Sequence, residues 1–139
     1  MPRLAAAESE LDLVVPFTDP AMTRAAVAAA STMARGLRAA LRLVRVQVVP
    51  FPCDLNHPLI PLSFLRGQLE GFRSTLPIRA EVRLAREMHS GLSSALRPDS
   101  VVVLASKKRW WRTRTERLAA ALRRAGYRTV LFYEGDSNA

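Results

Sequence analysis

An α/β fold, a parallel sheet covered by helices on both faces, is predicted for these 139 residues by three observations. Short β-rich runs alternate strictly with segments of helical periodicity, in the order β-α-β-α-β-α-β-α-β. The links between them are short and no internal repeat or domain linker interrupts them, so parallel strands joined by right-handed crossovers satisfy the pattern. Two runs, at 11–17 and 100–105, are apolar at nearly every position, as strands buried on both faces are.

Each element has its own local grounds. Leu11, Leu13, Val14, Val15 and Phe17 make the first strand. Asp19 followed by Pro20 pairs an N-cap with a first-turn proline, and Met22, Ala26, Met33 and Leu37 recur at near-helical spacing. A helix is expected over 20–35, with Gly36 near its end. Leu43, Val44, Val46, Val48 and Val49 form a second strand over 43–49, closed by Pro50 and Pro52, and the proline-rich stretch 51–61 is a loop. Leu62, Leu65, Leu69, Phe72 and Leu76 step by three and four along one helical face, which Pro77 ends. Residues 78–86 alternate Ile78, Ala80, Val82 and Leu84 with Arg79, Glu81, Arg83 and Arg86, the pattern of an edge strand with one wet side.

A short helix over 90–97, capped by Ser90, stops at Pro98, and Val101, Val102, Val103 and Leu104 make the most apolar strand. Thr113 and Glu116 have capping-box spacing ahead of Leu118, Ala121, Leu122 and Ala125, and Gly126 stops that helix. Residues 127–134 supply the last strand. One domain is expected over 1–139, with flexible ends at 1–10 and 135–139.

Composition narrows the chemistry. Apolar residues make up 49% and charged residues 24%, a globular balance at a length that supports a core without staples. Cys53 is the single cysteine, which excludes an internal disulfide and a multi-cysteine zinc site, and His57 and His89 are the only histidines. No export signal stands at the start, and no run approaches the roughly 20 apolar residues of a spanning helix. A reducing cytoplasmic setting is the expectation.

This layout resembles the universal stress protein family over residues 11–133. The likeness rests on Val14-Val15-Pro16 closing the first strand, Val46-Gln47-Val48-Val49-Pro50 closing the second, the 100–106 strand after a short helix, and the terminal Arg128-Thr129-Val130-Leu131-Phe132-Tyr133. It implies a Rossmann-like sandwich with strand order 3-2-1-4-5, a regulatory or interaction role in stress response, and a homodimer joined along the last strand through Val130, Leu131, Phe132 and Tyr133. The ATP-binding branch of the family carries G-x2-G-x9-G-[S/T] after strand four. Here those positions hold Ala105, Lys108, Leu118 and Ala119, and the aspartate that ends strand one in such members corresponds to Thr18. Side chains stand where bare backbone would approach phosphate, so ATP bound by the glycine-loop mode is not expected and no cofactor is assigned.

The charge is strongly asymmetric. Residues 107–128 hold Lys107, Lys108, Arg109, Arg112, Arg114, Arg117, Arg123, Arg124 and Arg128 against Glu116 alone, nearly all of the net +9. The 107–112 stretch leaves a buried strand at the sheet's carboxyl edge and leads into a helix N-terminus, where amides already favour anions. Thr18, Ala105, Ser106, Lys107, Lys108, Arg109 and Arg112 are therefore the candidate ligand-binding residues, for a nucleotide or other phosphorylated small molecule. Trp110 and Trp111 amid these cations, with the basic C-terminal helix, also suit nucleic acid or an anionic surface; the alternative for Arg117, Arg123 and Arg124 is an ordinary solvated helix face.

Two further groupings carry less. Cys53, Asp54 and His57 share the proline-rich loop, and His89 stands between Glu87 and Ser90. Nearness in sequence does not make a nucleophile–base pair. With no paired carboxylates, nucleophile elbow or P-loop in the chain, no catalytic residue and no metal ligand is assigned, and a non-enzyme is expected.

Overall fold

β1 (Leu11–Pro16) lies at the centre of the sheet, and its residues 12–16 are all buried. The computed structural model describes residues 11–35, 37–49 and 78–134. Among them the remaining elements are α1 (Pro20–Ala34), β2 (Ala39–Val48), β3 (Ile78–Ala85), α2 (Met88–Ala95), β4 (Val101–Lys107), α3 (Arg114–Arg124) and β5 (Arg128–Glu134). The five strands form one parallel sheet in the order β3-β2-β1-β4-β5. This is a Rossmann-like α/β sandwich. The helix expected around 62–76, the preceding loop with Cys53, Asp54 and His57, and both chain ends lie outside the described residues.

Alternation along the strands sorts the core into two layers. Leu13, Val15, Leu41, Leu43, Val101, Val103 and Ala105 pack against Ala26, Val27 and Ala30 of α1. On the other face Val14, Val44 and Val46 meet Leu92 and Ala95 of α2, while Val102 and Leu104 meet Ala119 and Leu122 of α3. Each fully buried Val or Leu contributes about 1.5–3 kcal/mol relative to exposure. α2 approaches β2 closely: a Cβ added at Gly91 would collide with Val46 Cγ1 and stand 3.0 Å from the Ala85 Cβ.

Several boundaries differ from the sequence reading, each for a physical reason. β2 begins at Ala39 rather than residue 43, and it takes in Arg42, which is 5% exposed and paired inside the protein. β4 runs to Lys107, two residues beyond 105, in register with Tyr133 and Glu134 of β5. α2 starts at Met88, so Ser90 is not its cap. The Ser90 hydroxyl instead donates to the Glu87 carbonyl from within the first turn. On α3 the buried apolar positions are Ala119 and Leu122; Ala125 is the exposed C-cap.

Arg42 anchors a network at the amino end of the strands. Its Nε and Nη2 donate to the two Asp12 carboxylate oxygens at 2.9 and 2.8 Å. Nη2 also donates to the Ala95 carbonyl at 2.9 Å, and Nη1 reaches Glu81 at 3.3 Å. The Ser100 hydroxyl donates to Asp12 at 2.6 Å. Burial pushes the Asp12 carboxyl up, but hydrogen bonds from Arg42 and Ser100 and the charges of Arg42 and Arg97 outweigh it and hold the group below its ordinary value.

Candidate anion-binding site

The connection after β1 crosses towards β2, whereas the connection after β4 crosses towards β5. The carboxyl ends of these two neighbouring strands are therefore the topological switch point, where open α/β sheets take their ligands. A crevice of 380 Å³ opens there, between the N-termini of α1 and α3. Asp19, Ala21 and Met22 line one side; Ser106, Lys107, Arg109, Thr113, Arg114 and Thr115 line the other. A second crevice of 450 Å³, bounded by Phe17, Thr18, Asp19, Met88, Arg114, Thr115 and Leu118, shares Asp19, Arg114 and Thr115 with the first.

Local sequence chemistry holds both walls. Asp19 caps α1, accepting from the Met22 amide at 2.9 Å, with Pro20 in the first turn. The Thr18 amide donates to the hydroxyl of Thr23, a residue with no exposed surface, which ties the turn to α1. Across the crevice, Thr113 and Glu116 form a full capping box: the Thr113 amide donates to Glu116 at 2.8 Å, and Thr113 Oγ1 accepts from the Glu116 amide at 3.1 Å. Ser106 Oγ lies 2.8 Å from Thr113 Oγ1, so the last buried residue of β4 is bonded to the cap of α3. The Tyr133 hydroxyl donates to the other Glu116 oxygen at 2.7 Å. Hydrogen bonds from the Thr113 amide and the Tyr133 hydroxyl hold the Glu116 carboxyl below its ordinary value. Both ends of the 107–112 loop are thereby fastened.

The candidate residues divide by where each stands relative to the crevices. Lys107 and Arg109 line the 380 Å³ crevice, and Thr18 lines the 450 Å³ one. Lys108 and Arg112 are exposed and line neither. Ala105 is 2% exposed and belongs to the core beneath α1. Ser106 faces the α3 side, buried except for its place in the crevice wall. Leu118 and Ala119, at the last glycine and hydroxyl positions of the ATP-loop comparison, fall inside α3 rather than at its start, which Thr113 caps.

Sequence reasoning missed Arg114, which borders both crevices as the first residue of α3, and the Tyr133 bond to Glu116. A cation directly after the N-cap Thr113, inside the capping box, was the available signal for Arg114. Tyr133 carried none, since the bond joins elements 17 residues apart. Asp19 was legible as a cap but not as crevice wall. Among the described residues Lys107, Lys108, Arg109 and Arg114 make no ion pair, and no group of three His, Cys, Asp or Glu side chains is placed to hold a metal.

β5 is an edge strand of the sheet. Val130 packs on the α1-side core, Leu131 on the α3-side core, Tyr133 is held by Glu116, and Phe132 is 38% exposed. Among the described residues no helix is long and apolar enough to cross a membrane. Compared with known proteins, the chain matches no protein-family model and no curated protein.

Proposed function

We propose that this chain is a non-enzymatic, universal-stress-protein-like regulatory module whose switch-point crevice takes a phosphorylated small molecule through side-chain cations rather than a glycine loop. One observation carries the reading: Lys107, Arg109 and Arg114 share a 380 Å³ crevice into which the N-termini of two helices open. Phosphate oxygens there meet ammonium and guanidinium groups and the positive ends of two helix dipoles. Among the described residues Asp19 is the single carboxylate on the wall, and its Oδ1 is already engaged by the Met22 amide. Its other oxygen suits a ligand hydroxyl, so a sugar or nucleoside phosphate fits better than inorganic phosphate alone.

Thermal denaturation with AMP, ATP, a hexose phosphate and pyrophosphate tests this. A ligand at a hundred times its dissociation constant stabilises by about 2.7 kcal/mol, a clear rise in melting temperature. The rise should vanish in Lys107→Ala/Arg109→Ala. Absence of a shift with every anion in the panel would reject the site.

The resemblance also implies a second copy of the chain along β5, a reading favoured by that strand's edge position and by the exposed Phe132. An unpaired edge invites such cover. Light scattering should give twice the 15.4 kDa chain mass; the single mass would remove the dimer.

A further inference from the structure

Trp110 is 91% exposed and Trp111 51%, adjacent in a loop whose two ends are fastened by the Ser106, Thr113 and Tyr133 hydrogen bonds. Two neighbouring indoles held in water are an unusual expenditure of apolar surface for a folded domain. Their rings meet edge to face, with centroids 5.1 Å apart and planes at 85°, and the Arg109 guanidinium stands 5.8 Å from the Trp111 ring centre. Lys108 and Arg112 flank the pair, exposed and outside both crevices. The one acid of the segment, Glu116, is bonded inward to Thr113 and Tyr133, so the outward charge of the loop is positive throughout.

We propose that this loop docks the protein onto an anionic lipid bilayer, with Trp110 and Trp111 seated at the headgroup level and Lys108 and Arg112 against lipid phosphates. Indole has an apolar body and a polar N–H, the combination that partitions to membrane interfaces. Basic residues beside such an anchor add attraction to the negative leaflet. Single-stranded nucleic acid is the other polyanion to weigh. It is bound in grooves that track the backbone and offer open ring faces for stacking. Here the aromatic pair projects, its rings are set edge to face, and Arg109 already approaches a face of Trp111. The contact is peripheral, and it does not depend on the phosphorylated-ligand reading because Lys108, Trp110, Trp111 and Arg112 line neither crevice.

The chain has two tryptophans, both in this loop, so tryptophan emission reports on it alone. Adding vesicles of phosphatidylcholine mixed with phosphatidylglycerol should shift the emission to the blue, and brominated phosphatidylcholine in the mixture should quench it. Vesicles of phosphatidylcholine alone should leave it unchanged. Lys108→Gln/Arg112→Gln should weaken partitioning about thirtyfold, from two lost charges near the surface. Trp110→Ala/Trp111→Ala should no longer sediment with the mixed vesicles while keeping its circular dichroism spectrum. Emission unmoved by the mixed vesicles, or undiminished sedimentation of the tryptophan variant, would overturn the proposal. An emission change with a single-stranded oligonucleotide and none with vesicles would overturn it in favour of nucleic acid.

Discussion

The two ends of the sheet treat charge in opposite ways. At the amino end Arg42 and Asp12 are 5% and 4% exposed, and every contact they make is internal: with each other, with Glu81, with the Ala95 carbonyl and with Ser100. At the carboxyl end Lys107, Lys108, Arg109 and Arg114 are exposed and, among the described residues, make no ion pair. A buried charge is tolerated only when its partners are complete, so the first end is committed to holding the fold. An exposed cluster of one sign is costly only through mild repulsion, and it keeps its attraction for a partner from solution. The contrast separates residues whose loss should unfold the protein from residues whose loss should leave it folded but unable to bind.

The largest effect should follow from breaking the amino-end network. Arg42→Ala leaves Asp12 buried without its guanidinium and is expected to cost about 3–5 kcal/mol in urea denaturation. A loss below 1 kcal/mol would mean that water reaches Asp12 and that the two ends differ less than their burial indicates.

Acid should act on the same end. Because the folded Asp12 carboxyl lies below its ordinary value, its stabilisation is fully present above the unfolded carboxyl range, about pH 4, and is lost as pH falls through the folded value. Wild type should lose stability steeply on acidification, and Asp12→Asn, though weaker at neutral pH, should show a shallower acid limb. Parallel acid limbs would assign the effect to other carboxylates.

A smaller loss should come from the carboxyl-end caps. Thr113→Ala removes the acceptor for the Glu116 amide and the partner of Ser106, and should cost about 1 kcal/mol by thermal melting. Smallest of all, Lys107→Ala/Arg109→Ala should change stability by less than about 0.5 kcal/mol while abolishing the ligand-induced rise in melting temperature. A large loss of stability in that variant would move these cations into the structural class.

The same division governs what could be read from the chain. Cap chemistry is local, so Asp19 before Pro20 and Thr113 three residues before Glu116 marked the starts of α1 and α3, and the structure bears both out. The apolar runs of β1 and β4 marked the central strands. Arg42 was opaque because its partners stand 30 and 39 residues away, and without them an arginine in a strand reads as an interruption. The crevice was legible in part. Lys107 and Arg109 follow a strand end in plain view, whereas Arg114, Asp19 and Thr115 join them only once the crossovers bring two helix N-termini together. Ala105 and Lys107 share one face of β4, but Ala105 lies in the core beneath α1 while Lys107, at the strand's end, lines the crevice, a difference hidden while the end of β4 was placed two residues early.

Backbone amide NMR during a pyrophosphate titration tests the account most directly, because it observes both ends of the sheet at once. Saturable shifts are expected at residues 18, 19, 21 and 22, at 106–109 and at 113–115, with Asp12, Arg42 and Ser100 unmoved, and none of these shifts should survive in Lys107→Ala/Arg109→Ala. Shifts centred on Arg123, Arg124 and Arg128, or a titration that does not saturate, would contradict a binding site at the switch point.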